Sequence, residues 1–405
     1  MLVIIAAMAG CESPAGPAAR PASAPGDDAA PSLQKFEYIR PKMGTGFRIV
    51  LYAADKKAAD AGAEAAFARI DQLNAILSDY DPNSELSKLS QRTLNGPMPE
   101  PVKVSDDLWR VLEQSQVAAE RSDGAFDITV GPFVKLWRRS RDMGELPTPE
   151  RLAEARKSVG YKLMMLDPQA HAVQLLAPHM RLDVGGIGKG YASSEALAVL
   201  KKLGITRAAV GAAGDLSVGD APPGRQGWRV AIQSLPVNVG ATQPSTGPFD
   251  GFDGFDKLTA GKLTAGKLRT GPASEPAVTG EAAVAPDESP AFPDFGGAYV
   301  RLSNYGASTS SDTERFTIID GQRYSHIIDP ATGLGMTHRV GVTVIAPDDT
   351  TADWMALAVC LMGPETGMAL VDSTPGAAAR MVSLDDGRAA VYESKRFKEF
   401  MAPAK

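Results

Sequence analysis

A carboxylate, a run of glycines and a lysine stand together near the middle of the chain, in Asp183-Val-Gly-Gly-Ile-Gly-Lys189-Gly-Tyr-Ala192. An apolar lead-in ends at Asp183 and an amphipathic run follows Lys189, which predicts a strand, a tight loop and a helix. Glycines let a backbone approach a ligand closely, and a helix N-terminus beside a lysine attracts phosphate. A glycine turn within an α/β unit would give the same pattern, so this stretch alone leaves both interpretations open.

Two common phosphate motifs do not match this stretch. A P-loop needs Ser or Thr after its Gly-Lys pair, but Gly190 follows Lys189. The dinucleotide fingerprint needs two residues before its last glycine, whereas only Lys189 separates Gly188 from Gly190. A phosphate site here would therefore be of another type.

Three further places carry side chains suited to chemistry: Ala125-Phe126-Asp127, the segment Tyr324-Ser-His326-Ile-Ile-Asp329-Pro330, and Asp353 at a predicted helix start. A histidine can exchange a proton near neutral pH, and a partly buried Asp can hold a hard cation. A lone histidine is often structural, however, and an Asp at a helix start is often a cap. Each feature alone is a weak indication.

Periodicity places these residues in a mixed α/β chain. Helices are predicted over 58–77, from Ser105 to Arg121, from Thr148-Pro149, after Lys189, from Thr350 to Leu361 with Gly363-Pro364 ending it, and near 365–372. Strands are predicted as a pair over 36–53 around Met43-Gly-Thr-Gly46, at 161–166, 172–176, 179–184, 207–210, 226–233, 340–346, 378–383 and 388–393, and as a hairpin around Asp320-Gly321. Residues 78–86 are expected to form a loop.

The composition bounds the possible classes of protein. The chain has 405 residues, 44% of them hydrophobic, and a net charge of -6. That is enough for a large core of one or two domains, and the acidity argues against nucleic acid as the main partner. No apolar run in the sequence reaches the roughly 18 residues that a membrane span needs.

The N-terminus resembles a bacterial lipoprotein signal. Residues 1–11 hold a short apolar run and end in Met8-Ala-Gly-Cys11, where the cysteine would be lipidated. Residues 12–33 are rich in Ala and Pro and predict a tether. A frayed apolar terminus is the alternative. Cys360 is the only other cysteine, which excludes a disulfide framework and a cysteine zinc site.

The stretch 236–296 differs from the rest of the chain. It repeats Gly-Phe-Asp and Lys-Leu-Thr-Ala-Gly in tandem and then becomes rich in Pro, Ala, Glu and Ser. Such repeats hold too few large apolar residues to bury a core. We expect a low-complexity disordered insertion at the surface, with a partner-binding segment as the alternative.

The order of these motifs resembles the ApbE family of FAD:protein FMN transferases, which are often lipoproteins. The matching blocks are Met43-Gly-Thr, Leu77-Ser-Asp-Tyr80 with Ser84-Glu-Leu-Ser-Lys-Leu, Gly124-Ala-Phe-Asp127-Ile-Thr-Val-Gly-Pro, Asp183-Val-Gly-Gly-Ile-Gly-Lys189-Gly-Tyr-Ala, Tyr324-Ser-His326-Ile-Ile-Asp-Pro-Ala-Thr-Gly333, and Ala352-Asp353. The resemblance implies an α/β (α+β) fold with two lobes and a T-fold-like core, formed by 34–235 and 297–395 as a single structural unit.

The resemblance also implies an activity. It is the Mg²⁺-dependent transfer of FMN from FAD to a Thr or Ser hydroxyl of a target flavoprotein, with release of AMP. The acceptor would carry the pattern Asp-x-x-Ser/Thr-Gly-Ala-Ser/Thr. A lipidated Cys11 would place the protein on a bacterial cell membrane, facing the periplasm or exterior, and no nucleic acid is expected as a partner.

Position by position, the family's site residues fall on particular residues of this chain. The resemblance implies FAD contacts at Met43, Tyr80, Ala125, Phe126, Asp127, Asp183, Lys189, His326 and Ile327. It implies metal ligands at Asp353 and at the backbone carbonyl of Gly186, and His326 is the candidate base.

Two departures from the family pattern bear on the activity. A threonine usually completes the metal site four residues after the Asp, and this chain has Leu357 there. Because leucine cannot bind Mg²⁺, the alternatives are an FAD-binding lipoprotein with weakened or lost transfer, or an FAD pyrophosphatase giving FMN and AMP. The second departure is Ser311, where the family commonly has glycine. We therefore expect an unusual backbone conformation at Ser311.

Overall fold

Alternating apolar residues build the strands of one large sheet whose two faces are both buried. In the strand Thr45–Ala53, the side chains of Phe47, Ile49 and Leu51 face one core, while Val50 faces the other. The computed structural model describes residues 32–232, 298–312, 315–385 and 388–402. The predicted signal at 1–11, the tether up to residue 31 and the insertion at 236–296 lie outside the described residues.

The strands differ in length but most follow the predicted positions. They are β1 (Gln34–Lys42), β2 (Thr45–Ala53), β3 (Val102–Lys103), β4 (Met164–Asp167), β5 (Ala172–Leu175), β6 (Ala208–Ala212), β7 (Asp215–Val218), β8 (Trp228–Ala231), β9 (Tyr299–Leu302), β10 (Tyr305–Ser311), β11 (Phe316–Ile319), β12 (Gln322–Ser325), β13 (Arg339–Ala346), β14 (Ala378–Asp385) and β15 (Arg388–Glu393).

The helices of the described residues are the following. They are α1 (Lys56–Leu77), α2 (Glu85–Gln91), α3 (Asp106–Arg121), α4 (Gly131–Met143), α5 (Pro149–Arg156), α6 (Gly188–Lys202), α7 (Asp349–Asp372) and α8 (Phe397–Phe400). Ser105 and Thr148 cap these helices by accepting hydrogen bonds from the backbone N–H groups of Leu108 and Arg151, so local sequence sets the starts of α3 and α5.

The large sheet is antiparallel throughout, with the strand order β1-β2-β6-β7-β10-β13-β14-β15. Helices α1, α6 and α7 pack side by side against one face. The β8–β9 pair and α8 cover part of the other face, where Trp228 and Phe397 are buried. The described residues from Leu33 onward form one compact unit. The predicted α/β fold is thus confirmed as a helix layer on an antiparallel sheet.

Helix α7 is a core helix with a kink. By length and composition it is the one helix of the described residues that could cross a membrane. Half of its most apolar window is buried, however, because it packs against β10 and β13. At Gly363 the backbone has φ 78° and ψ -178°, and Pro364 follows, so the predicted helix end is a break between two helical halves.

Two sequence predictions about local structure are wrong, and two more miss only at a boundary. Residues 179–184 form no strand and make only an isolated bridge between Arg181 and Val130. The predicted strand at 161–166 begins as a 3₁₀ turn, Tyr161–Leu163. The predicted loop at 78–86 is present as far as Ser84, which caps α2, so helix replaces only its last two residues. Ser311 lies in β10 opposite Gly341 with no left-handed φ, so the expected unusual backbone is absent there.

Candidate active site

Two glycines let the start of α6 lie directly against α7. A Cβ atom at Gly190 would come within 2.4 Å of the Asp349 carbonyl oxygen and 2.8 Å of the Asp353 Cβ. A Cβ at Gly186 would come within 2.7 Å of the Leu357 Cδ1. The glycine run therefore serves close backbone packing, and it brings Gly186, Lys189 and Asp353 together. Lys189 lies in the first helical turn rather than in the predicted loop.

Asp353 caps a helix other than its own. Its Oδ2 accepts a hydrogen bond of 3.0 Å from the backbone N–H of Gly190, in the first turn of α6. The residue before α6, Ile187, offers no side-chain cap, so the carboxylate from α7 occupies this positive helix end. The cap of α7 itself is Asp348. This hydrogen bond alone does not distinguish a helix cap from a functional carboxylate at Asp353.

A buried cluster of charges surrounds Lys189. Its Nζ lies 2.7 Å from Asp215 Oδ2 and 3.8 Å from Asp353 Oδ2. The Ser308 hydroxyl donates to Asp215 Oδ1 at 2.6 Å and orients that carboxylate. Asp349, one turn before Asp353, is completely buried, and neither of its carboxylate oxygens meets a well-aligned donor among the described residues.

This cluster, Asp215, Asp349 and Asp353 with Lys189, holds more negative than positive charge. Burial raises the pKa of Asp353, and the charge of Asp215 raises it further. Burial and the neighbouring carboxylates raise the pKa of Asp349 well above its usual range. Burial alone would lower the pKa of Lys189, but Asp215 and Asp353 raise it above normal. The ammonium is therefore fixed as a cation, and the surplus of carboxylates favours a further cation or a proton.

A second charged group joins Asp183 to Tyr80. Arg138 from α4 contacts Asp79 at 2.6 Å and Asp183 at 3.8 Å, and its guanidinium lies 4.1 Å from the centre of the Tyr80 ring. Burial, and then the charge of Asp79, raise the pKa of Asp183. Tyr80 remains 70% exposed. Arg138 therefore holds an exposed aromatic ring next to the carboxylates of Asp79 and Asp183.

The segment 125–127 contributes mainly apolar packing and few polar groups that a ligand could reach. Phe126 is buried, lies edge-on to Trp354 at 6.2 Å, and would meet a Cβ on Gly186 at 3.3 Å. The Asp127 carboxylate accepts from the backbone N–H and the hydroxyl of Thr129, at 2.8 and 2.7 Å. Burial raises the pKa of Asp127 although those bonds oppose the shift. Asp127 therefore shapes the local turn, and half-buried Ala125 precedes it.

His326 is fixed in one tautomer by its neighbour. Both its backbone N–H and its Nδ1 lie within hydrogen-bond distance of the Arg315 carbonyl oxygen, at 3.0 and 3.1 Å. Since a carbonyl only accepts, Nδ1 carries the hydrogen and Nε2 keeps a free lone pair. The side chain reaches solvent, yet surrounding protein lowers the pKa of His326 to about 4, and the charge of Arg315 adds to this. Adjacent Ile327 is buried.

Met43 occupies the tip of the β1–β2 hairpin in a left-handed conformation. Its φ is 50° and that of Gly44 is 71°, the pattern of a two-residue turn in which Asn-Gly is usual. A methionine there is strained by about 1 kcal/mol, and its side chain packs against the main core. Strain of this kind is common where a side chain serves a ligand.

Asp215, Asp349, Arg138 and Trp354 belong to these groups but were absent from the predicted site. Asp215 follows a glycine turn between strands, and that Gly-Asp pair after an apolar strand was the available signal. Asp349 stands four residues before Asp353, the spacing that places two side chains on one helix face. Nothing in the sequence indicated Arg138 or Trp354.

Comparison with known proteins identifies the family of this chain. The family model described as ApbE family matches residues 43–247 and 284–381, and the gap between these blocks lies inside the stretch 236–296. The FAD:protein FMN transferase of Salmonella typhimurium is 27% identical over 382 residues, covering 93% of this chain and 92% of that protein. The Escherichia coli K12 protein of the same name is 26% identical and covers 90% of this chain and 88% of its own length.

A solved structure agrees with these relatives. The flavin transferase ApbE from Vibrio cholerae superimposes with a TM-score of 0.67 at 25% identity, covering 91% of this chain and 99% of that one. The resemblance drawn from the motifs and the predicted fold are thus confirmed. Because the family model matches well over half of its residues, the chain belongs to the ApbE family.

Proposed function

We propose that this protein transfers FMN from FAD to a Thr or Ser hydroxyl of a target flavoprotein and releases AMP. The observation that carries the proposal is the meeting of the α6 N-terminus, Lys189 and the buried Asp353 carboxylate at one place. A helix N-terminus and a lysine suit a pyrophosphate, and a carboxylate suits its counter-cation. The names of the relatives supply the identity of the reaction.

In the proposed reaction the acceptor oxygen attacks the phosphorus on the FMN side of FAD. A new P–O bond forms to that oxygen, the bond to the bridging oxygen breaks, and AMP leaves with the bridging oxygen. His326 Nε2 takes the proton of the hydroxyl, for which its free lone pair is suited. Lys189 and the α6 N-terminus hold the pyrophosphate oxygens in place.

The remaining predicted contacts surround FAD in this proposal. Met43, Tyr80 and Ile327 would contact its ring systems. Ala125, Phe126 and Asp127 would form one wall, in which Phe126 supplies the apolar surface and Asp127 holds the turn. Asp183 would bind FAD beside Arg138, which neutralises part of its charge.

The chain's own donors are compatible with Mg²⁺, although they are few. No group of three His, Cys, Asp or Glu side chains arranged for a metal occurs among the described residues. The buried carboxylate surplus around Lys189 nevertheless favours a cation, with Asp353 and the Gly186 carbonyl as ligands. Mg²⁺ is commonly held by one or two carboxylates, substrate phosphates and waters. When bound, it would neutralise charge on the pyrophosphate.

Replacement of Leu357 tests the weakened-metal alternative. Leu357 packs against Gly186 and offers only methyl groups there. We expect Leu357→Thr to lower the Mg²⁺ concentration for half-maximal transfer about tenfold, which corresponds to ~1.4 kcal/mol from one added oxygen ligand. The measurement is a Mg²⁺ titration of FMN transfer, together with calorimetry of Mg²⁺ binding in the presence of FAD.

Leu357→Val is the matched control because valine has the shape of threonine without its hydroxyl. Both variants make the side chain one heavy atom smaller at a half-buried site and should lose about 1 kcal/mol of stability. If valine improves Mg²⁺ binding as much as threonine, the added oxygen is irrelevant and the alternative of a depleted metal site fails.

Replacement of Met43 separates binding from stability. Met43→Asn relieves the strain of the left-handed turn but loses the packing of the methionine side chain, so we expect the free energy of unfolding to change by less than about 1 kcal/mol in urea titrations. FAD affinity, followed by quenching of flavin fluorescence, should fall severalfold because the apolar contact is lost. Met43→Leu keeps both the strain and an apolar side chain, and it should change neither quantity much. Equal FAD affinity in the Asn variant would remove Met43 from the FAD site.

The function itself is tested with the chain from Gln34 onward, FAD, Mg²⁺ and an acceptor peptide of the expected pattern. Intact-mass measurement should show FMN on the peptide and AMP in solution. FAD bound but unchanged would favour the binding protein with lost chemistry. FMN and AMP formed without any acceptor would favour the FAD pyrophosphatase.

We also propose a location for the reaction. Lipidation of Cys11 would tether the protein to a bacterial cell membrane, facing the periplasm or exterior, and the small residues before Cys11 support this. Metabolic labelling with a fatty acid, compared between the native chain and Cys11→Ser, tests it directly. Equal labelling of both would exclude Cys11 as the anchor.

A further inference from the structure

The exposed ring of Tyr80 stands on a loop whose backbone is held on the preceding side at two points. The Ser78 carbonyl oxygen accepts a hydrogen bond of 3.1 Å from the Ser87 hydroxyl. The Asp79 carbonyl oxygen accepts a hydrogen bond from the Arg181 guanidinium. Tyr80 itself is nevertheless 70% exposed. Binding residues are found disproportionately on loops that a rigid scaffold holds in place, so this ring is placed as a binding residue would be.

Arg138 covers one face of the Tyr80 ring. Its guanidinium carbon lies 4.1 Å from the ring centre, well within the ~6 Å range of a cation–π contact. Its Nη2 lies 2.6 Å from Asp79 Oδ2, and this ion pair with the residue next to Tyr80 keeps the guanidinium over the ring. Because one face is covered and most of the ring is still exposed, the opposite face is the one open to solvent.

Arg138 also contacts a second residue of the candidate site. Its Nη2 lies 3.8 Å from Asp183 Oδ2, so one guanidinium joins Tyr80 to Asp183, two residues far apart in the chain. Helix α4 holds this arginine in place, because the neighbouring Trp137 is buried and donates its indole N–H to the Gly333 carbonyl oxygen at 2.8 Å. The orientation of the ring is therefore fixed by side chains from two distant parts of the chain.

We propose that Arg138 is a positioning residue that holds Tyr80 as a stacking platform, on whose open face a planar heteroaromatic ring of FAD lies. This inference rests on the proposed function. Stacking on an aromatic side chain tolerates different rings because each has a π-face, so the adenine and the isoalloxazine share the chemistry that this platform recognises. The faces of two aromatic rings are both negative, and a cation behind Tyr80 reduces their repulsion.

A double-mutant cycle on FAD affinity tests the platform, with quenching of flavin fluorescence as the measurement. We expect Arg138→Gln and Tyr80→Leu each to raise the Kd for FAD about tenfold. The double variant should raise it by no more than about twofold further, because both changes remove the same stack. Arg139→Gln is the matched control, since Arg139 lies on the exposed face of α4, and it should leave the Kd unchanged.

Two conservative variants distinguish positioning from a structural role. Tyr80→Phe keeps the ring, so it should bind FAD as tightly as the native protein, and Arg138→Gln should again raise the Kd about tenfold in that background. Arg138→Lys keeps the charge beside Asp79 and so keeps the test open should Arg138→Gln fail to fold. Its ammonium has no planar face to lie on the ring, so we expect the Kd to rise severalfold.

The two halves of FAD show which ring is stacked. If the adenine lies on Tyr80, Tyr80→Leu should weaken the binding of AMP about tenfold and leave that of FMN unchanged. If the isoalloxazine lies there, FMN binding should weaken and AMP binding should not. Unchanged binding of AMP, FMN and FAD in Tyr80→Leu would refute the platform altogether.

Two further results would overturn the proposal. Losses that multiply to about 100-fold in the double variant would mean that Arg138 acts on FAD independently of Tyr80. An unchanged Kd in both Arg138→Gln and Arg138→Lys would mean that the cation behind the ring is irrelevant. None of these measurements needs FMN transfer. A native protein that binds no FAD would contradict the proposed function together with this inference, whereas tight FAD binding that is indifferent to Arg138 refutes this inference alone.

Discussion

Asp353→Asn should reduce FMN transfer by about two to three orders of magnitude while leaving the fold intact. Asparagine has the same shape and its oxygen can still accept from the Gly190 N–H, so the cap on α6 survives. What disappears is the negative charge 3.8 Å from Lys189 that would hold the counter-cation of the pyrophosphate. Single-turnover transfer to the acceptor peptide, read by intact mass, measures the loss.

The melting temperature distinguishes a functional from a structural role for Asp353. Burial raises the pKa of this carboxyl, so its charged form is costly in the fold, and the neutral amide should melt no lower than the native protein in metal-free buffer. Asp348→Asn is the control, because it removes the same charge at an exposed cap where Asn serves equally well. Transfer within about threefold of native in Asp353→Asn would leave only the helix cap as its role.

Local signals predicted most elements, and their failures have physical causes. The caps Ser105 and Thr148 and the Asp320-Gly321 turn act within a few residues, so pattern reading located α3, α5 and the β11–β12 hairpin. Helix α4 was missed because no side chain caps its start and its apolar residues are few, although Pro132 at its first turn was a usable signal. The alternating pattern of residues 179–184 predicts a strand, but the backbone hydrogen bonds of this segment go to single loop positions such as the Ile128 carbonyl.

The residues of the candidate site fall into two groups, those that motifs in the sequence indicate and those that only the fold brings together. Lys189, Gly186 and Asp353 were named because their surroundings resemble a family, and the close packing of α6 on α7 explains why these residues meet. Asp349 shares a face of α7 with Asp353, whereas Asp215 joins them only through the order of strands in the sheet, which brings β7 next to the helix layer. Spacing along the chain cannot encode the approach of Asp215 to Lys189, so the charge balance around Lys189 requires the fold.

His326→Gln should lower transfer about 100-fold without weakening FAD binding. Glutamine keeps a polar side chain near the Arg315 carbonyl but cannot take a proton from the acceptor hydroxyl. His179→Gln, at an exposed histidine away from the hairpin, is the matched control and should be neutral. A loss smaller than about threefold in His326→Gln would mean that water or another group receives the proton.

The pKa of the His326 imidazole can be measured independently of FMN transfer. With its pKa lowered to about 4, below the usual value of about 6.5, His326 stays neutral as the pH falls from 8 to 5, and it gains a proton only as the pH approaches 4. Proton NMR of the four histidines, with His326→Gln for assignment, should show one ring signal that does not titrate above pH 5. In Arg315→Gln that signal should titrate at higher pH, because one of the charges that oppose protonation is gone. A His326 signal that titrates near 6.5 in the native protein would mean that Arg315 lies too far from the imidazole to act on it. Part of the imidazole would then be protonated at physiological pH and unable to accept the hydroxyl proton.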